Sequence, residues 1–220
     1  MNKIIFRTSL LFLVFLTAFS LREPTVLIIG DSISIGYTPF VKKYFKGKAL
    51  ITHNPGNAEH TGTGLEKIDE WLGEEEWDIV QFNWGLWDLA YRHRSAKAYG
   101  NRDKLNGTVT YSVDEYAANL DSLVAYIKSK TEAKLIFVTT TYVPSEEAGR
   151  FTSDVEKYND AAKLVMKKHE VKVNDIYKKS IKIHKDYGKG SNDVHYSSKG
   201  YKKLSEAITS FLENELKEIK

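Results

Sequence analysis

The chain has no cysteine. That one absence excludes disulfides, thiolate nucleophiles and cysteine-ligated metal centres. It also excludes a lipid-modified exported form, which needs a cysteine at the cleavage point. Proline is scarce, with 4 in 220 residues, and no proline-rich linker divides the chain. No internal repeat is present. No apolar run reaches the roughly 18–20 residues that cross a bilayer. A charge excess of one sign is missing too. The formal charge is +3, and two of the 32 basic residues, Lys3 and Arg7, lie in an acid-free leader, leaving 30 against 29 acids. A near-neutral chain gives no reason to expect nucleic acid as a partner.

What is present points to one exported domain. Residues 1–20 read "MNKIIFRTSLLFLVFLTAFS", with a basic start, an apolar stretch over Ser9–Thr17 and a small-x-small pattern at Ala18 and Ser20. This is the composition of a secretory signal peptide. It predicts a secreted or periplasmic protein, with no stable membrane insertion once the leader is removed. The remaining residues, 21–220, suit a single domain. Hydrophobic residues make up 42% of the chain, enough for a core that needs no bridges.

Short apolar runs alternate with amphipathic segments. Strands are expected at Thr25–Ile29, Ala49–His53, Asp78–Asn83, Lys134–Thr140 and Val171–Asn174. Helices are expected at about 38–46 and 64–72, after the capping box Ser112–Glu115, over Ser153–His169 and over Ser198–Leu216. The alternation argues for an α/β fold with a mainly parallel five-stranded sheet covered on both faces. Ligands bind such sheets beyond the carboxyl ends of the strands. Gly30–Ser32, Asn83–Asp88 and Thr139–Pro144 all fall there. The polar stretch 89–111 has little periodicity, and a loop that long is usually functional or disordered.

Asp31-Ser32, at the end of the first strand, reads in two ways. It is a helix cap, or it presents a serine nucleophile, which needs a base. Of the six histidines, His53 and His60 lie near the exit of the second strand and His93 in the polar loop. His169 and His184, flanked by lysines, read as surface residues. His195 differs. It lies in "SNDVHYSSKGY", a turn-rich segment directly before the last helix, with an acid two residues before it.

Several stretches together resemble the SGNH (GDSL-like) hydrolases, and carbohydrate esterase-type members in particular. "GDSIS" and "DVHYSSKGY" look like that family's first and last signature blocks, and "FNWGLWDL" resembles a variant of its G-x-N-D block. "VEKYNDAAK" and "VNDIY" are also similar. The resemblance implies a three-layer α/β/α sandwich of flavodoxin-like type. It implies a serine nucleophile, a histidine base, no metal and no cofactor. Ser32 matches the nucleophile and His195 the base. The family builds its oxyanion hole from the serine N–H, a second-block glycine N–H and the asparagine of G-x-N-D.

Three departures accompany the match. The family's acid lies three residues before the histidine, where this chain has Asn192; Asp193 lies two before. Asp193 completes a triad, or a backbone carbonyl steadies a Ser-His dyad. In "GLWD", Gly85 is present but Trp87 replaces the asparagine; Asn83 supplies the donor from the same strand face, or merely ends the strand. In "NPGNAEHTGTG" no glycine is assigned, so the loop Asn57–His60 is expected to supply a backbone N–H, with Asn57 and Glu59 lining the pocket or forming an ordinary polar loop.

Asp31 is expected to hold the turn by accepting backbone N–H bonds. Trp84 reads as core, Trp87 and Tyr91 as substrate-facing aromatics, and Tyr142 as a further rim residue. Asn106-Gly107-Thr108 is a glycosylation sequon that matters only in a eukaryotic secretory route. The lysine-rich segment 178–189 reads as a solvated helix face.

The resulting expectation is an exported serine esterase removing small acyl groups, acetyl first, from a carbohydrate or other small molecule. A decayed SGNH fold that binds glycans, and a lysophospholipase, thioesterase or acyltransferase using the same serine, are the competing expectations. Oligomeric state has no signal in the sequence.

Overall fold

The computed structural model describes residues 22–219; the expected leader lies outside the described residues. The elements run β1 (Thr25–Ile29), α1 (Ser32–Phe45), β2 (Leu50–His53), α2 (Thr61–Leu72), β3 (Ile79–Phe82), β4 (Tyr91–Arg92), β5 (Thr108–Val109), α3 (Val113–Lys130), β6 (Lys134–Val138), α4 (Thr152–Lys168), β7 (Lys172–Asn174), α5 (Tyr177–Tyr187) and α6 (Ser198–Lys217).

Five strands form one parallel sheet in the order β2-β1-β3-β6-β7. Each strand is a short apolar run because both faces of the sheet are covered. Val26, Leu27, Ile28 and Ile29 are all buried. Helices α1, α5 and α6 pack together, and so do α2, α3 and α4. The physical cause is crossover handedness. From β1 the chain moves outward to β2, then returns past β1 to β3 and continues to β6, so right-handed connections place α1 on one face and α2 and α3 on the other. The direction reverses between β1 and β3, which opens a crevice at their carboxyl ends.

The strand positions match the expected runs to within a residue or two. So do the starts of α3, α4 and α6, but α1 and α2 begin earlier than expected. The periodicity predicts a helix from about 38, yet α1 begins at Ser32. Gly36 and Pro39 disfavour helix locally, but tertiary packing overrides them. An added Cβ at Gly36 would lie 2.3 Å from the Tyr201 ring, so its hydrogen lets α1 and α6 approach closely. The capping box of α3 forms in both directions, between Ser112 and Glu115. The polar stretch 89–111 is not a featureless loop: β4 and β5 pair antiparallel within it. Among the described residues no helix is long and apolar enough to cross a membrane.

Candidate active site

The first turn of α1 stands at the β1–β3 crevice. Asp31 is extended and caps the helix, its Oδ1 accepting the Ile33 N–H at 2.9 Å. Ser32 is therefore the first helical residue. Its backbone N–H is one of the donors that a helix start leaves unpaired, and it has no acceptor among the described residues. Asn54 fixes the approach to this turn, its Oδ1 accepting the Gly30 N–H at 2.9 Å. A partly buried contact, Ser34 Oγ to His53 Nε2 at 2.6 Å, ties α1 to the end of β2.

His195 reaches this serine from the loop between α5 and α6. Its Nε2 lies 2.9 Å from Ser32 Oγ. Its Nδ1 lies 2.5 Å from Asp193 Oδ1. The same carboxylate oxygen accepts the His195 backbone N–H at 2.9 Å. This explains how an acid only two residues away meets the ring. The side chain closes an Asx-type turn onto residue i+2, and that turn lays the carboxylate beside the imidazole. With Nδ1–H donated to Asp193, Nε2 is free to accept the serine proton. Partial burial pushes the Asp193 carboxyl up. The bonds from the His195 backbone and ring, with the His195 and Lys189 charges, outweigh it and hold Asp193 below the usual carboxylate range.

His184 corrects the surface reading. It is buried on α5, packed against the rings of Tyr142 and Tyr196. Its Nε2 donates to the Asp193 carbonyl oxygen at 2.7 Å. The lysines around it occupy the solvent side of α5, which concealed the inward turn of the histidine. His169 is instead bound to Asp121 at 2.7 Å, far from the serine in the fold.

Asp31 itself is buried, which pushes its carboxyl up against the opposing effects of the Ile33 N–H and the Arg150 and His195 charges. Its second oxygen has no partner among the described residues. Arg150, on the loop before α4, is also buried; its Nε donates to Leu86 O at 2.5 Å and its Nη1 to Glu147 Oε1 at 2.9 Å. Glu147 bonds Arg102 as well. This buried ion cluster buttresses the Gly85–Asp88 turn. Nothing in "PSEEAGRF" marks it in the sequence, because a polar loop reads the same whether it is buried or solvated.

The remaining expected residues divide. Asn83 turns its Nδ2 to Val138 O at 2.7 Å, where it joins the ends of β3 and β6. Gly85 has φ +148 and packs on the Thr140 hydroxyl, a contact only a glycine allows. Asp88 is buried and accepts both the N–H and the hydroxyl of Thr61, anchoring the start of α2. Trp84 is in the core, bonded to Ala58 O. Tyr91 is drawn away from the crevice: its hydroxyl donates to Asp154 on α4 at 3.2 Å and its ring packs edge-on against Phe151. Trp87 is partly exposed beneath the Arg92 guanidinium.

In the loop after β2, the Ala58 N–H is taken by Gly30 O at 3.0 Å, and the Glu59 N–H by Asn57 Oδ1 at 2.8 Å. Glu59 carries a φ of +50, which that Asn57 bond helps to hold. The N–H groups of Asn57 and His60 have no acceptor among the described residues. Burial holds the His60 ring below its ordinary range, against the Glu59 charge.

Residues 28–203 match the GDSL-like lipase/acylhydrolase family. The chain belongs to that family. It is accordingly an ester-bond hydrolase, with the parallel α/β architecture of the group. Solved structures share this GDSL fold at low identity. A lipase/acylhydrolase from Enterococcus faecalis is 20% identical, with TM-score 0.69, over 87% of this chain and 96% of that one. The acetyl xylan esterase AlAXEase is 15% identical, with TM-score 0.67, over 86% and 99%. An acetylxylan esterase from Geobacillus stearothermophilus is 19% identical, with TM-score 0.66, over 85% and 93%. Two forms of that last enzyme, each described as a catalytic mutant, replace a serine and an aspartate by alanine. No curated protein matches this GDSL hydrolase in sequence.

Proposed function

We propose that this GDSL hydrolase is an exported serine esterase that removes small acyl groups, acetyl in particular, from a carbohydrate. The supporting observation is the continuous line Ser32 Oγ, His195 Nε2, His195 Nδ1, Asp193 Oδ1, with contacts of 2.9 and 2.5 Å. Serine is a weak nucleophile until a base removes its proton, and this line supplies the base and the group that orients it.

Ser32 Oγ attacks the ester carbonyl carbon while its proton passes to His195 Nε2. The carbonyl oxygen becomes an oxyanion, facing the Ser32 N–H and an N–H of the Asn57–His60 loop. The tetrahedral adduct collapses, the alcohol leaves with the proton from His195, and the acyl group stays on Ser32. Water then attacks that ester, gives its proton to His195 and releases the acid. The same proton returns to Ser32. Asp193 stays ionised and stabilises the imidazolium formed in each half.

Acetyl as the acyl group draws on the acetylxylan esterases among proteins of the same fold. A sugar as the alcohol draws on the partly exposed Trp87 beside the crevice. Export draws on the composition of residues 1–20. The test is acetate release from acetylated xylo-oligosaccharides, with labelling by a fluorophosphonate. Both are expected in the native protein and lost in Ser32→Ala and His195→Ala. Full activity in either variant would overturn the assignment.

A further inference from the structure

Arg92 is a partly buried cation with no ion-pair partner among the described residues. It lies on β4, partly buried, with its guanidinium 4.8 Å above the Trp87 ring and Nη1 donating to Gly100 O at 2.5 Å. Arg102 and Arg150 share Glu147. No carboxylate pairs with Arg92 among the described residues. The charge nearest in kind, Glu59, has its Oε2 taken up by the Thr63 hydroxyl at 3.2 Å. Burial, then the Arg102 charge, holds the Arg92 guanidinium below its ordinary range, against the Glu59 and Glu147 charges.

Its place in the fold is what matters. Ala58 bonds Gly30, so the Asn57–His60 loop lies directly beside the Asp31–Ser32 turn, and Arg92 acts electrostatically on both Glu59 and His60 of that loop. Trp87 belongs to the turn after β3, on the other side of the crevice. Arg92 thus sits on one of the two loops that follow the strands beside β1 and acts electrostatically on the other. A guanidinium is a planar fork of donors, which fits a carboxylate in two-point contact better than a rounded anion. Exposed Arg94 and Lys97 extend the positive field outward from the same segment, which steers anions towards it.

We propose that Arg92, seated on Trp87, binds a carboxylate of the substrate, so that this hydrolase prefers acetyl esters of acidic sugars to those of neutral ones. The inference rests on the esterase reading of Ser32.

The test uses acetylated oligogalacturonides in two forms, with free carboxylates and with the carboxylates methyl-esterified, and follows acetate release. The native protein is expected to favour the free acid by about tenfold in kcat/KM, mostly through KM, as a charge-assisted pair of hydrogen bonds implies. High salt should shrink that ratio. Arg92→Gln should bring it near one, and Arg92→Lys, which keeps the charge without the fork, should fall between. The salt series on the native protein needs no variant, so misfolding of Arg92→Gln does not decide the matter. Ser32-dependent hydrolysis of 4-nitrophenyl acetate with equal rates on both oligosaccharide forms would overturn the inference and leave the esterase reading standing. So would an undiminished ratio in folded Arg92→Gln. Loss of nitrophenyl acetate hydrolysis in the native protein would remove both.

Discussion

Asp193 does two jobs with one oxygen, since Oδ1 takes both the backbone N–H and the ring N–H of His195. Asp193→Ala should therefore lower kcat about 100-fold or more, because the imidazole loses both its tautomer control and its orientation. Asp193 has a folded pKa held below its free value, so its contribution to stability is present above pH about 4 and fades as pH falls through the folded value. His184 acts one step behind, through the Asp193 carbonyl. His184→Phe should reduce kcat about tenfold with KM nearly unchanged, while His184→Gln, which keeps a donor, recovers part of the loss. Steady-state kinetics on a small acetyl ester separates the two cases. Ser32 and His195 were readable as candidates from short motifs, since each block sits in one stretch of chain, whereas Asp193 was readable only as one of two ways to steady the ring. His184 was not, because lysines on either side hide which way the ring turns. Asn83 was readable as a polar residue at a strand end, but not as a brace to Val138, which comes from another strand.

At the level of elements, α1 is the one that carries Ser32, and it packs against α6. Gly36 sits in the contact with Tyr201. Gly36→Ala would gain helix propensity of about 1 kcal/mol. It should nevertheless destabilise the protein by about 1–3 kcal/mol, because the new methyl group must displace the tyrosine ring. Denaturant melts of the two proteins measure the sign directly. Strand positions were legible because a strand buried on both faces is a continuous apolar run, whatever lies beside it. The first turns of α1 and α2 were not, since glycine and proline there weaken the local pattern and the compensating contacts come from α6 and from Asp88.

Over the whole molecule, segments far apart in sequence are held together by buried acids. Asp88 is fully buried at the start of α2, and burial pushes its carboxyl up to about 6, against the bonds from Thr61. The unfolded chain releases this proton near 3.8, while the folded protein keeps it until about pH 6. The group thus favours the fold fully below pH about 4, and that support is lost as pH rises through 6. Asp88→Asn keeps the acceptor for Thr61 without the titration. Its stability relative to the native protein should rise by roughly 3 kcal/mol between pH 4 and 6 and then level off. Unfolding curves measured across that interval check it, and a constant difference would show that Asp88 does not titrate there.

The sequence by itself determined the order and kind of the main strands and helices, and it marked Ser32 and His195 as candidates with two ways of orienting the imidazole. Each of these is written in local spacing: an apolar run, a helical period, or a motif of a few residues. Only the tertiary structure decided that Asp193 reaches the ring, that Asn83 donates to Val138 and Tyr91 to Asp154, and that Arg150 and Glu147 are buried beside the Gly85–Asp88 turn. Those outcomes depend on which distant groups share a small volume, and the chain acquires that information only when β1 and β3 come side by side.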